Sequence, residues 1–168
     1  RAVMLLIDVS GSMRGERILT AAVAAGALAS ELTHDRLGII AFWSDAALVR
    51  PLEAESNSRD VLDALLAIRV RGLTNVSFPL ELAAHALVGA RGSETRAVLL
   101  SDCVHNAGPD PRLAASRLDR LDGLLDATGE HDEALARELA AIGHGRALTI
   151  RGHRDVLEQY RQRFDHVL

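Results

Sequence analysis

The stretch Ala2-Val3-Met4-Leu5-Leu6-Ile7-Asp8-Val9-Ser10-Gly11-Ser12 decides the fold. Its apolar run is too short for a helix and reads as a strand buried on both faces, the kind a helix-covered parallel sheet requires. Polar chemistry begins where that strand stops. Gly11 lets the backbone turn tightly, and in a turning loop the alternating Asp8, Ser10 and Ser12 side chains converge on one point. One carboxylate and two hydroxyls form an all-oxygen set suited to a hard cation such as Mg²⁺, whereas zinc would look for His or Cys and finds neither here. The plainer alternative is a capped turn in which Asp and Ser bond backbone amides.

Working outward, Arg14 to Leu32 has apolar residues at helical spacing, and its many Ala residues permit close packing on a sheet. Leu37 to Phe42 is a second buried strand. Ala46 to Leu52 is a third, antiparallel to it across the Ser44-Asp45 break, with Pro51 marking a sheet edge. Helices are expected over Ser58 to Ile68 and Ser77 to Val88, with a turn at Gly72 between them. A fourth strand, Ala97 to Asp102, again ends in Ser and Asp. A short helix near Leu113 to Leu118 precedes a weaker strand at Leu121 to Leu125, where Asp122 and Gly123 interrupt the apolar pattern. Helix Asp132 to Ile142, strand Arg146 to Ile150 and helix Asp155 to Phe164 complete the alternation. The expected architecture is α/β: a three-layer, Rossmann-like, doubly wound sheet, mostly parallel with one antiparallel edge strand.

In such a sheet ligands bind at the carboxyl ends of the strands, near the switch point. Asp8 and Asp102 both fall at such ends, and the first and fourth strands are normally neighbours. Thr74, in Gly72-Leu73-Thr74-Asn75, lies in a loop just before a helix and offers a third hydroxyl.

Composition narrows the function. The chain has 168 residues, of which 48% are hydrophobic, and a formal charge of -4. That excludes a disordered chain, and the charge argues against a nucleic-acid binder. All basic residues are Arg; without Lys there is neither Schiff-base chemistry nor a Walker-type phosphate lysine. The single Cys103 forms no internal disulfide, and no apolar run is long enough to span a membrane, which points to a cytoplasmic setting. The start at Arg1 has neither an initiator Met nor a signal-peptide layout, so residues 1–168 are read as one domain of a longer protein.

Taken in order, Asp8-Val9-Ser10-Gly11-Ser12-Met13, then Gly72-Leu73-Thr74-Asn75, then an apolar strand and Asp102, resemble the metal-ion-dependent adhesion site (MIDAS) of the von Willebrand factor type A (VWA) domain family. The likeness covers nearly the whole chain and is greatest to the bacterial intracellular, MoxR- and chelatase-associated branch. It implies that Ser10, Ser12 and Thr74 ligate Mg²⁺ (or Mn²⁺ or Ca²⁺) by their hydroxyls, with Asp8 and Asp102 ligating directly or through water. A further position is kept for a carboxylate from a partner protein. It also implies a protein-binding adaptor rather than an enzyme, with an AAA+ ATPase of the MoxR or chelatase class, or its substrate, as partner, and no nucleic acid or membrane. One departure is Cys103, where the family often has Gly.

Rival readings are a Mg²⁺-dependent phosphoryl-transfer or hydrolytic enzyme, and a structural module with an empty metal site. Neither a Gly-rich phosphate loop nor a Gly-x-Ser-x-Gly elbow is present to favour the enzyme. Cys103 and His105 read as loop residues, His131-Asp132 as a helix cap, and His85 as a packed or partly exposed side chain. Arg14, Arg17, Arg69 and Arg71 flank the loops and are candidates for a basic rim favouring acidic partners. Without a cation, Asp8 and Asp102 are expected to face and repel each other.

Overall fold

In a computed structural model of the chain, which describes residues 1–54, 58–69, 72–90, 92–152, 154–156 and 158–159, the first strand lies at the centre of a six-stranded sheet. In chain order the elements are β1 (Ala2–Asp8), a single 3-10 turn (Gly11–Met13), α1 (Glu16–Glu31), β2 (Arg36–Phe42), β3 (Ala46–Arg50), α2 (Ser58–Ala67) and α3 (Ser77–Val88). They continue with β4 (Thr95–Ser101), α4 (Arg112–Ala115), β5 (Leu121–Asp126), α5 (Glu133–Ile142) and β6 (Ala147–Ile150). The strand order is β3-β2-β1-β4-β5-β6, with every pairing parallel except β2 with β3. The expected fold class is therefore found, including its antiparallel edge.

β1 is buried on both faces because its side chains alternate between two cores. Val3, Leu5 and Ile7 join Leu28 of α1 and Leu65 of α2 on one side. Ala2, Met4 and Leu6 join Leu80 of α3, Ala115 of α4 and Leu139 of α5 on the other. The buried face of α1 is mostly alanine, which brings its axis close to the sheet. β3 is only half buried and is followed by Pro51, as an edge requires.

Two helices depart from the expected extent by two residues or more. α1 begins at Glu16, not Arg14, because a 3-10 turn and then Gly15 at φ 70° carry the chain from the strand into the helix. β5 is found where expected and runs through Asp122 and Gly123 to Asp126, since the Asp122 carboxylate is paired inside the fold, with Arg96 at 3.2 Å and Arg120 at 2.9 Å. α4 is a single turn, Arg112–Ala115, shorter than the stretch to Leu118. Of the expected helix Asp155 to Phe164, residues 155, 156, 158 and 159 are helical, as is residue 154 before it, and the rest lies outside the described residues. Among the described residues no helix is long and apolar enough to cross a membrane.

Candidate metal site

β1 and β4 are parallel neighbours, so their carboxyl ends coincide. Asp8 closes β1, Asp102 follows β4, and both are fully buried. Ser10 and Thr74 are buried as well, while Ser12 is exposed at the mouth of the loop.

The Asp8 carboxylate is held on both oxygens. Oδ1 accepts from the Ser10 N–H at 2.8 Å and Oδ2 from the Ser101 hydroxyl at 2.5 Å. Ser101 Oγ in turn accepts from the Cys103 N–H at 2.9 Å, so one hydroxyl ties the end of β1 to the turn after β4. Burial pushes the Asp8 carboxyl up to about 6, against the pull of the hydrogen bonds from Ser10 and Ser101. The nearby Asp102 charge contributes least to that rise.

Ser10 Oγ and Ser12 Oγ stand 3.1 Å apart. Adjacent oxygens of an octahedron with bonds of about 2.1 Å are separated by about 3 Å, so this pair fits neighbouring positions around a small hard cation. Two buried carboxylates on the same edge complete an oxygen donor set of the right chemistry for Mg²⁺ or Mn²⁺.

The Thr74 loop docks onto both of the others. The Gly11 N–H donates to the Gly72 carbonyl at 3.0 Å, and a Cβ on Gly11 would stand 2.9 Å from that oxygen, so a side chain there would force the loops apart. On the far side Asn106 Oδ1 accepts from the Thr74 N–H at 2.8 Å, and the Asn106 N–H donates to the Thr74 carbonyl at 3.1 Å. Asp8, Ser10, Ser12, Thr74 and Asp102 thus sit on three loops hydrogen-bonded into one unit. Thr74 is joined to it through its backbone.

The expected repulsion between the two carboxylates is present but is the smallest of the effects on Asp8, because Asp102 has partners of its own. Asp102 Oδ1 accepts from the Val104 N–H at 3.0 Å, and Oδ2 accepts from Arg17 Nη1 at 3.2 Å. Arg17 is therefore no rim residue; its side chain is 13% exposed and reaches into the site. Arg14 and Arg69 are exposed, and Arg71 lies outside the described residues.

Cys103 adopts φ 58°, in the left-handed region that glycine enters freely. Its thiol is buried, and burial together with the Asp8 and Asp102 charges pushes its pKa up, so it stays protonated. His105 Nδ1 accepts from the Val76 N–H at 3.1 Å, which makes that ring part of the loop scaffold. Asp132 caps α5 by accepting from the Leu135 N–H at 2.9 Å, and His85 is exposed. Among the described residues there is no cluster of three or more His, Cys, Asp or Glu, so a cation here depends on hydroxyls.

Sequence reasoning gave no role to Ser101 and misplaced Arg17. The signal for Arg17 was present: a cation in the first turn of a helix opposes the helix dipole and needs a compensating partner.

A family model described as the von Willebrand factor type A domain matches residues 3–105, and the chain belongs to that family. Such domains are metal-dependent protein-interaction modules. Among solved structures, the chain superposes on an aerotolerance-related membrane protein from Bacteroides fragilis with a TM-score of 0.82 at 19% identity, covering 98% of each chain. A von Willebrand factor type A protein from Catenulispora acidiphila gives 0.81 at 20% identity, with 95% of this chain and 41% of that one. Proximal thread matrix protein 1 from the mussel byssus, with a zinc-occupied MIDAS motif, gives 0.77 at 16% identity, with 96% of this chain and 46% of that one. The chain thus spans less than half of the latter two. At these identities the likeness speaks to the fold alone. No curated protein matches the chain.

Proposed function

We propose that Asp8, Ser10, Ser12, Thr74 and Asp102 form a MIDAS that holds Mg²⁺, with Mn²⁺ or Ca²⁺ as alternatives, and that the domain binds a protein partner through it without performing chemistry. The observation that carries this is the Ser10–Ser12 hydroxyl pair at 3.1 Å beside two buried carboxylates on neighbouring strand ends. A bound divalent ion supplies a Lewis-acidic centre able to take a carboxylate oxygen from outside the chain. The protein's own groups hold the donors still: Ser101 and the Ser10 N–H fix Asp8, the Val104 N–H and Arg17 fix Asp102, and Gly11 allows the Thr74 loop to close on the first.

On this reading residues 1–168 are one interaction domain of a longer protein. It serves as an adaptor for an AAA+ ATPase of the MoxR or chelatase class, or for that ATPase's substrate, in the bacterial cytoplasm. The family assignment supports the adaptor role, and the single buried thiol suits a reducing compartment.

Calorimetric titration with Mn²⁺ tests the site. One saturable site is expected in the wild type, with a loss of at least tenfold in Ser12→Ala, whose exposed position makes it harmless to the fold. Absence of any Mn²⁺ binding up to 10 mM would overturn the reading, and magnesium-dependent turnover of phosphate esters would replace it with the enzymatic one.

A further inference from the structure

Arg17 leaves the first turn of α1 and places every N–H of its guanidinium on an oxygen of the site or its surroundings. Nη1 donates to the Ser12 carbonyl at 3.0 Å and to Asp102 Oδ2 at 3.2 Å. Nη2 donates to the carbonyls of Asp126 at 3.3 Å and Glu130 at 3.1 Å. Nε donates to Thr128 Oγ1 at 3.0 Å and lies 3.4 Å from Asp126 Oδ1. The loop after β5 is shaped around it: a Cβ on Gly129 would stand 3.3 Å from Arg17 Cζ, closer than a side chain comfortably sits.

Three loops of the carboxyl edge therefore share one fixed positive charge, and that charge is spent partly on Asp102, a carboxylate assigned above to the cation. A divalent ion and a guanidinium that share a carboxylate oppose each other, and the effect is large where the groups are buried. We infer, resting on the metal-site reading, that Arg17 is a positioning residue with a second consequence: it fixes Asp102 and the β5–α5 loop in place while lowering the intrinsic affinity of the site for a divalent cation. The resident charge keeps the fold intact when no ion is bound and leaves the ion loosely satisfied when it is, so that an acidic group from the partner completes it.

The test separates charge from hydrogen bonding. Mn²⁺ titrations of wild type, Arg17→Gln and Arg17→Lys are run beside thermal melts in chelator, with Arg17→Met as a second neutral variant should the glutamine protein not fold. Arg17→Gln is expected to bind Mn²⁺ at least tenfold more tightly than wild type, and Arg17→Lys within about threefold of it. In chelator both are expected to melt below wild type, because neither restores the full set of donors. A neutral variant that binds Mn²⁺ no more tightly than wild type overturns the inference while leaving the metal site standing. A lysine variant as tight as the glutamine one does the same, since charge would then not be the cause. Failure of all the proteins to bind Mn²⁺ overturns the metal site itself.

Discussion

The two ends of this sheet each bury aspartate, and they treat it in opposite ways. Near the amino end of β5, Asp122 is fully buried between Arg96 and Arg120 and also accepts from the Arg146 N–H at 2.9 Å. One carboxylate there meets two guanidiniums. At the carboxyl end Asp8 has hydrogen bonds from Ser10 and Ser101, while Arg17 is divided between Asp102 and Asp126. A charge buried for architecture is matched by fixed cations of the chain. At the proposed metal site, the carboxylates are held in position with their charge left partly unmatched.

Asp122→Asn should break the first of these arrangements. With the carboxylate gone, the buried Arg96 guanidinium is left beside the half-buried one of Arg120, and removal of one partner from a buried pair costs about 3–5 kcal/mol. Urea unfolding should show that loss equally with Mn²⁺ and with chelator. A loss that saturating Mn²⁺ repairs would place Asp122 with the metal site instead.

The second arrangement is expected to reveal itself through pH. The native Asp8 carboxyl, raised to about 6, lies above its unfolded value, so its contribution to stability is full below about pH 4 and is lost as pH rises through 6. In chelator the wild type should therefore lose about 3 kcal/mol from this group between pH 4 and 8. Asp8→Asn should lack that slope. Parallel pH profiles for the two proteins would show that Asp8 is no more strained than an ordinary surface carboxylate.

Asp102→Asn sharpens the contrast within the site. Two like charges in mutual repulsion would make this substitution stabilising in chelator. Paired with Arg17 and capping the Val104 N–H, Asp102 should instead cost about 1–3 kcal/mol when neutralised. A higher melting temperature for the variant in chelator would mean that Arg17 does not neutralise it.

The smallest effect concerns Cys103. Its left-handed backbone costs about 1–2 kcal/mol for a residue with a Cβ. Cys103→Gly relieves the strain while losing the buried sulfur, whereas Cys103→Ala loses the sulfur and keeps the strain. The glycine variant should therefore be the more stable of the two by about 1 kcal/mol, and the reverse order would deny the strain.

What could be read from sequence followed from local spacing. Asp8, Ser10 and Ser12 sit in five consecutive residues, and the strand before them announces where they must emerge. Asp102 was legible because an apolar strand again stopped in Ser and Asp. The Arg17 network was not, because its partners stand far along the chain: Asp102 is 85 residues away and Glu130 is 113. No periodicity links them. Asp122 left the β5 signal weak for a related reason: its poor strand propensity is overridden by a pairing with Arg96 that only the folded sheet creates.

The bond from Ser101 to Asp8 closes a span of 93 residues, and it joins the two central strands of the sheet. During synthesis β1 can pair with β2 as soon as both are made, yet its other edge stays bare until β4 has emerged. Long closures of this kind slow folding, and the bare edge is where a nascent chain is open to wrong pairing. The oxygen cluster at the carboxyl edge exists only once that closure is made. On the proposed metal-site reading, Mn²⁺ uptake in a refolding experiment is expected to trail β1–β2 formation and to coincide with the arrival of β4, a clock for the docking of the two halves.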